Sequence, residues 1–359
     1  MNRRMLFDID WGLIAPVIIL VILSLTTLFS INISLFKSQF TFFIIGIIAF
    51  LFFSQTNYRT VSLYSAPIYI ISVVLLFIVL VAGIESRGSV RWLELFGFRV
   101  QFSEIFKPFL AISLSSFLVS KNNYSFKTFF LGMSFLLPIA LLVFLQPDLG
   151  NALIYLMVAI STFIVFGFPV RFFLAGLAFL GLLSPIIWKF LHDYQKQRIL
   201  TFLNPSDPLG LSYNAIQSVI AIGSGMIFGR GLGLGTQSGL RFLPERHTDF
   251  IFAALSEELG VIGSVLMVAV FALLLYKIFA IFLNQENLFC KIFSIAAFFI
   301  IFLQFFVNVG MNIGILPIVG ITLPFVSYGG SSLLSNFILL GILSAMNSKE
   351  RSLRVLEIK

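Results

Sequence analysis

Six ionisable side chains crowd one stretch, LPERHTDFIFAALSEELG at residues 243–260: Glu245, Arg246, His247, Asp249, Glu257 and Glu258. The chain around them is 59% hydrophobic and only 11% charged. Such groups are costly to take out of water, so a cluster at the mouth of an apolar run needs a compensating use. The chemistry on offer is proton transfer, because a carboxylate at the edge of an apolar phase can deprotonate a hydroxyl. A base at Asp249 would need partial burial to restore its proton affinity, since the positive end of a helix favours the ionised form. Pro244 fixes the approach, and Thr248 or Asp249 is expected to cap the helix that begins at Phe250. A plain capping role is the simplest alternative for Asp249. His247 alone would more often be a local hydrogen-bonding residue than a catalyst.

A second set of residues is cationic. The stretch ESRGSVRWLELFGFRVQFSEIFKP, residues 85–108, carries Arg99 and then Lys107, with Glu104 one helical turn before the lysine. Glu104 and Lys107 at that spacing can simply pair on a helix face. Lys107 beside Pro108 in an apolar helix is less easily dismissed, because an intramembrane lysine usually faces a cavity or a partner. With Arg99 it could form a cationic site suited to phosphate. In QPDLGN, residues 146–151, Pro147 ends one apolar run and Asp148 can cap the next, which reads equally well as a hairpin turn.

The elements that must position these groups follow from hydropathy. Mean hydropathy is +1.06, and about ten apolar runs approach the length a bilayer core requires. The expected fold class is an all-α membrane protein: a polytopic bundle of about ten transmembrane helices with a large extracytoplasmic loop, residues 191–249, between spans 7 and 8. Residues 1–359 read as a single integral membrane domain, with the run at 11–31 retained as a span. Arg3, Arg4, Arg59, Lys121, Lys127, Arg171, Lys291, Lys349, Arg351 and Arg354 fall at one set of alternate ends, which places both termini in the cytoplasm and the loops 85–104 and 191–249 outside. The net charge of +8 suits an anionic lipid surface, and nothing in its pattern is a nucleic-acid footprint.

Three further stretches qualify that picture. Residues 214–228 are amphipathic and suit a helix lying in the membrane interface. The glycine-rich run from Gly223 to Gly235 lacks the lysine and hydroxyl of a P-loop and reads as a mobile loop over a substrate groove. NVGMNIGILPIVGITLPFVSYGGSSLL, residues 308–334, mixes glycine, proline and apolar residues; irregular backbone at membrane depth is expected to line a cavity. The single cysteine, Cys290, excludes an internal disulfide and reads as a small apolar residue.

LPERHTDFIFAALSEELG, QPDLG, the run from RIL through NPSDPLGLSYNAIQS to AIGSG, GLGTQSGL and GILPIVGITLPFVSYGGSSL together resemble the signatures of the SEDS family (shape, elongation, division and sporulation). The resemblance spans nearly the whole chain, and PIVG with short tails is most similar to the elongation members. It implies a peptidoglycan glycosyltransferase that polymerises lipid II outside the cytoplasmic membrane, with undecaprenyl pyrophosphate as leaving group. By motif, it implies Asp249 as general base, Arg99 and Lys107 as the basic pair at the pyrophosphate, Asp148 and Gln217 lining the groove, and Glu245 and His247 supporting Asp249. A divalent cation, Mg²⁺ or Mn²⁺, is plausible at a pyrophosphate, although no compact ligand motif demonstrates one. The implied partners are a class B penicillin-binding transpeptidase and the membrane proteins of an elongation complex. Two rival readings use the same residues: a transporter moving lipid II across the bilayer, and a scaffold that only anchors other wall enzymes. Gln101-Phe102-Ser103-Glu104 stands where the family often has QPSE, which bears on the angle of the fourth span, and Met226 stands where it has a further glycine.

Overall fold

The computed structural model describes residues 10–357 except 87–88, 96–97, 122–124, 192–195, 198–199, 201, 203–211 and 241. Arg3, Arg4 and most of the NPSDPLGLS motif lie outside the described residues.

Helices α1 (Trp11–Ile31) and α2 (Ile33–Ser54) are separated by Asn32, which is extended and whose side chain accepts from Ser34 N to start the second helix. After α3 (Tyr58–Leu63) and α4 (Ser65–Ala82) come β1 (Ile84–Ser86), β2 (Ser89–Leu95) and β3 (Phe98–Gln101). They form an antiparallel sheet of three strands in the order β1-β2-β3, with Glu94 opposite Arg99. The stretch at 85–104 is therefore folded rather than a loop: glycines at 88 and 97 separate short runs rich in Val, Trp and Phe, which suit paired strands. Next, α5 (Phe102–Ile105) passes directly into α6 (Lys107–Val119), with Pro108 tolerated in its first turn. The chain continues through α7 (Phe126–Leu145), α8 (Leu149–Val165), α9 (Val170–Phe190), α10 (Tyr213–Ser224), α11 (Thr236–Gly239), α12 (Ile251–Asn284), α13 (Leu288–Asn312) and α14 (Gly330–Glu357).

Each apolar run expected from the sequence falls on a helix. Among the described residues seven helices are long and apolar enough to cross a membrane, and Lys107–Val119, Leu149–Val165 and Val170–Ile186 are shorter apolar helices. The chain is a multi-pass membrane protein. Its packing is that of a bundle in lipid: Ile48, Phe52, Phe179 and Leu182 face outward, while serines, asparagines and glutamines are buried. The apolar part of α14 is 89% buried whereas that of α2 is 17% buried, so α14 is a central post and α2 its outer cover. Their contact is close because residue 341 is glycine: a Cβ placed there would stand 2.8 Å from the Phe50 carbonyl oxygen and force the helices apart.

The two ends of the bundle differ in kind. At one end Asn347 donates to Asp10 Oδ2 at 2.5 Å, bringing the start of α1 to the far part of α14. At the opposite end, Ser30 in the last turn of α1 donates to Glu258 near the start of α12. The turn that carries Asp249 lies at this second end.

Candidate functional site

Residues 244–250 make a succession of turns before α12. Thr248 N and Phe250 N both reach the Glu245 carbonyl, at 3.1 and 3.3 Å, and Glu245 has a positive φ of 50°. The cap position of α12 falls to Phe250, whose side chain makes no capping bond, not to Thr248 or Asp249 as the sequence suggested. Phe250 is 2% exposed and pulls the turn onto the core, leaving Asp249 partly exposed one residue outside the helix. Asp249 is fixed through its main chain: Asn308 and Asn312 of α13 both donate to its carbonyl, at 3.1 and 3.0 Å. The neighbouring carbonyls are held as well, Thr248 by Ser327 Oγ at 2.7 Å and His247 by Tyr328 N at 2.8 Å. The His247 ring lies 5.6 Å from the Tyr328 ring, tilted by 55°.

The irregular segment 313–329 supplies the opposing wall. A Cβ placed on Gly320, whose φ is +72°, would stand 3.6 Å from Asp249 Oδ2. On the segment's other side, a Cβ on Gly150 of α8 would press on the Val319 carbonyl at 2.7 Å. Residues 319–321 are therefore wedged between the Asp249 carboxylate and the start of α8. Non-helical backbone needs side-chain partners at membrane depth. Gln39 Nε2 donates to the Ser327 carbonyl at 3.1 Å while its Oε1 accepts from Gly329 N at 3.2 Å. Ser24 Oγ donates to the Val326 carbonyl at 2.6 Å and Asn308 Nδ2 to that of Ile321 at 2.7 Å.

The glycine-rich stretch is not the mobile loop expected from its composition. Helix α12 breaks at Gly260, whose φ of 68° and ψ of −164° interrupt the ladder. Residues 226–231 lie in that break: Val261 N and Ile262 N bond to the Met226 and Ile227 carbonyls, and Arg230 N and Gly231 N to those of Glu257 and Glu258. Glycine at 229 permits the approach, since a Cβ there would overlap the Glu258 carbonyl. Glu257, fully buried, accepts from Gln237 N, Ser238 N and Ser238 Oγ at 2.6–2.8 Å, so it anchors α11. Glu258 accepts from Ser30 Oγ at 2.5 Å and Gly233 N at 3.1 Å. These two glutamates are ties within the protein.

Asp148 behaves likewise. It caps α8 as the sequence allowed, is 1% exposed, and accepts from Gln101 Nε2, Ser103 Oγ and Asn151 Nδ2 at 2.8–3.0 Å. Arg91 approaches it at 3.7 Å and donates to the Pro147 carbonyl at 2.7 Å. Beside this network Lys107 is 1% exposed and bonded to Glu104 at 2.7 Å. Arg99 is exposed on β3, so Arg99 and Lys107 do not make an open cationic surface; the lysine is already neutralised inside the protein. Gln217 is half-buried on α10, with Oε1 shielded from solvent. The helix expected at 214–228 is shorter than that range and packs on α12 and α13, where Ser218 Oγ donates to the Asn312 carbonyl at 2.9 Å.

The structure therefore brings Asp249, Glu245 and His247 together on one turn and puts Asp148, Glu104 and Lys107 into a buried framework across the 319–321 wedge. Among the described residues no three His, Cys, Asp or Glu side chains converge as a metal site. The residues missed from sequence are the amides, Asn308, Asn312 and Gln39. Their signal was present, since polar side chains one helical turn apart in an apolar helix mark a bonding face.

A family profile described as cell cycle protein, FtsW/RodA/SpoVE, matches residues 4–352. The peptidoglycan glycosyltransferase MrdB of Escherichia coli strain K12 is 38% identical over 312 residues, which covers 86% of this chain and 84% of the relative. A chain from a structure of a peptidoglycan synthase complex, described as coordinating polymerization and crosslinking, superposes with a TM-score of 0.84 at 30% identity, covering 96% of this chain and 99% of the other. The rod shape determining protein RodA of Thermus thermophilus superposes with a TM-score of 0.73 at 28% identity, covering 95% and 97%. The SEDS resemblance read from the motifs is thereby established, and the chain belongs to the FtsW/RodA/SpoVE family.

Proposed function

We propose that this chain is a peptidoglycan glycosyltransferase of the RodA type, polymerising lipid II into glycan strands during cell elongation. The observation that carries the proposal is the presentation of Asp249. Its carboxylate stands on a turn outside α12, partly exposed and facing Gly320, while Glu104, Asp148 and Glu257 at that end of the bundle are buried in internal bonds. In the proposed step Asp249 takes the proton from the 4-hydroxyl of the acceptor GlcNAc as that oxygen attacks C1 of the donor MurNAc. The new C1–O4 bond forms with inversion, the bond from C1 to phosphate breaks, and undecaprenyl pyrophosphate leaves with the electron pair. Arg99, exposed on β3, is the cation proposed to meet the pyrophosphate, and Gln217 with Glu245 and His247 is proposed to line the acceptor side. Lys107, paired with Glu104, is assigned to the junction of α5 and α6. The described residues do not build a metal cage, so a Mg²⁺ or Mn²⁺ ion is proposed to arrive on the pyrophosphate.

The site is proposed to face outward from a bacterial cytoplasmic membrane, with both termini inside, as the basic residues of the short loops require. A class B penicillin-binding transpeptidase is the proposed partner within an elongation complex. The transporter reading fits less well. Carrying a pyrophosphate lipid by alternating access calls for charged groups in the bundle toward both faces, yet the buried charged side chains among the described residues, Glu104, Lys107, Asp148, Glu257 and Glu258, all belong to the Asp249 end.

The test is incubation of the purified protein with lipid II in detergent, with and without the transpeptidase, followed by electrophoresis of the products. Glycan ladders are expected. Intact lipid II in both arms, together with transbilayer movement of labelled lipid II in vesicles, would replace the polymerase with a transporter.

A further inference from the structure

We infer that Asn312, assisted by Asn308, is a positioning residue for Asp249, its carboxamide taking the place of a missing rung of α12. This rests on the proposed role of Asp249 as the base. Had Asp249 capped α12, Ala253 N would have bonded to its carbonyl four residues back; with the cap at Phe250 that N–H has no partner within the helix. Here Ala253 N instead donates to Asn312 Oδ1 at 3.2 Å, and Asn312 Nδ2 donates to the Asp249 carbonyl at 3.0 Å. One side-chain amide is thus spliced between the donor and acceptor that the helix would have joined. The next rung, Ala254 N to the Phe250 carbonyl at 3.1 Å, is normal.

The splice has a geometric consequence. Asp249 stands outside the helix, yet its carbonyl and the Ala253 N–H of the first turn are both satisfied by one side chain. Asn308, one turn earlier on α13, donates to the same carbonyl and to that of Ile321, tying Asp249 to the segment that its carboxylate faces. Both asparagines are fully buried, so neither competes with water for these bonds and neither touches a substrate in the groove. Asn312 also accepts from Ser218 Oγ at 3.3 Å, so α10 and the Asp249 turn share one anchor. A base displaced by about 1 Å loses about a hundredfold in rate. A carbonyl held by two rigid amides is a means of preventing that.

The experiment compares wild type with Asn312→Leu, which is nearly isosteric but neither donates nor accepts. Polymerisation of lipid II is followed at varied lipid II concentration, alongside thermal melting in detergent. The expected result is kcat lowered at least about tenfold, with half-saturation changed less than about twofold and a cooperative melt retained. A purely structural role would instead lower the yield of folded protein and leave kcat per folded molecule intact, which would overturn the inference. Should Asn312→Leu fail to assemble, Asn308→Ala decides: it must lower kcat several-fold at unchanged half-saturation, and an undiminished kcat rejects the inference. Absence of polymer from wild type, by contrast, is failure of the glycosyltransferase reading itself.

Discussion

Two aspartates stand at the starts of helices, and the protein uses them in opposite ways. Asp148 is buried, and its carboxylate is bonded by Gln101, Ser103 and Asn151, so its side chain is part of the frame. Asp249 is held by its main chain, through Asn308 and Asn312, and its carboxylate is directed to the wall formed by Gly320. A carboxylate that spends its lone pairs on the fold has little capacity left for a reacting proton. Fixing the backbone instead places the side chain without relying on its carboxylate, which is the arrangement the proposed role of Asp249 calls for.

On folding, the largest expected effect in the framework is at the ion pair. Glu104→Gln leaves the Lys107 ammonium buried without its counter-charge and should cost about 3–5 kcal/mol, seen as a lowered melting midpoint in detergent. Adding Lys107→Met to that variant should recover most of the loss; no recovery would mean that the lysine has another partner. Asp148→Ala, which strands the buried donors of Ser103 and Asn151 and the half-buried one of Gln101, should cost about 1–3 kcal/mol while activity per folded molecule stays within a few-fold. A loss of activity beyond the loss of folded protein would move Asp148 from the frame into the site. Gly260→Ala places a side chain at a φ of 68° and ψ of −164°, a region essentially reserved for glycine, and against Gly229 N, with an expected cost of about 1–3 kcal/mol from the backbone alone. The smallest effect should be His247→Ala, because the tie to Tyr328 N runs through the His247 carbonyl, which the substitution keeps. Its rate should fall by less than the ~10²-fold that removing an acid–base group costs.

The helices were legible because apolar run length is a direct consequence of bilayer thickness, and each expected run coincides with a helix. The sheet was not, since strands of three to seven residues leave little periodicity to detect. The cost of its charges singled out the stretch at 243–260, where the proposed base lies beside two glutamates that tie the fold. What the sequence hid was the division of labour between the two aspartates. Asp148 and Asp249 each precede an apolar run, and the difference between them is made by residues distant in the chain, Gln101 and Ser103 for one, Asn308 and Asn312 for the other. The glycines at 223–235 suggested motion by composition, yet their use is close approach to a broken helix, which depends on Gly260, a residue with nothing nearby in sequence to announce it.

The most direct test of the contrast is Asp249→Asn, which preserves size and the main-chain bonds from α13 but removes the basic oxygen. With wild-type melting confirmed, the polymerisation rate on lipid II should fall by at least ~10²–10⁴-fold while lipid II still binds. Glycan strands made at the wild-type rate by that folded variant would contradict the account.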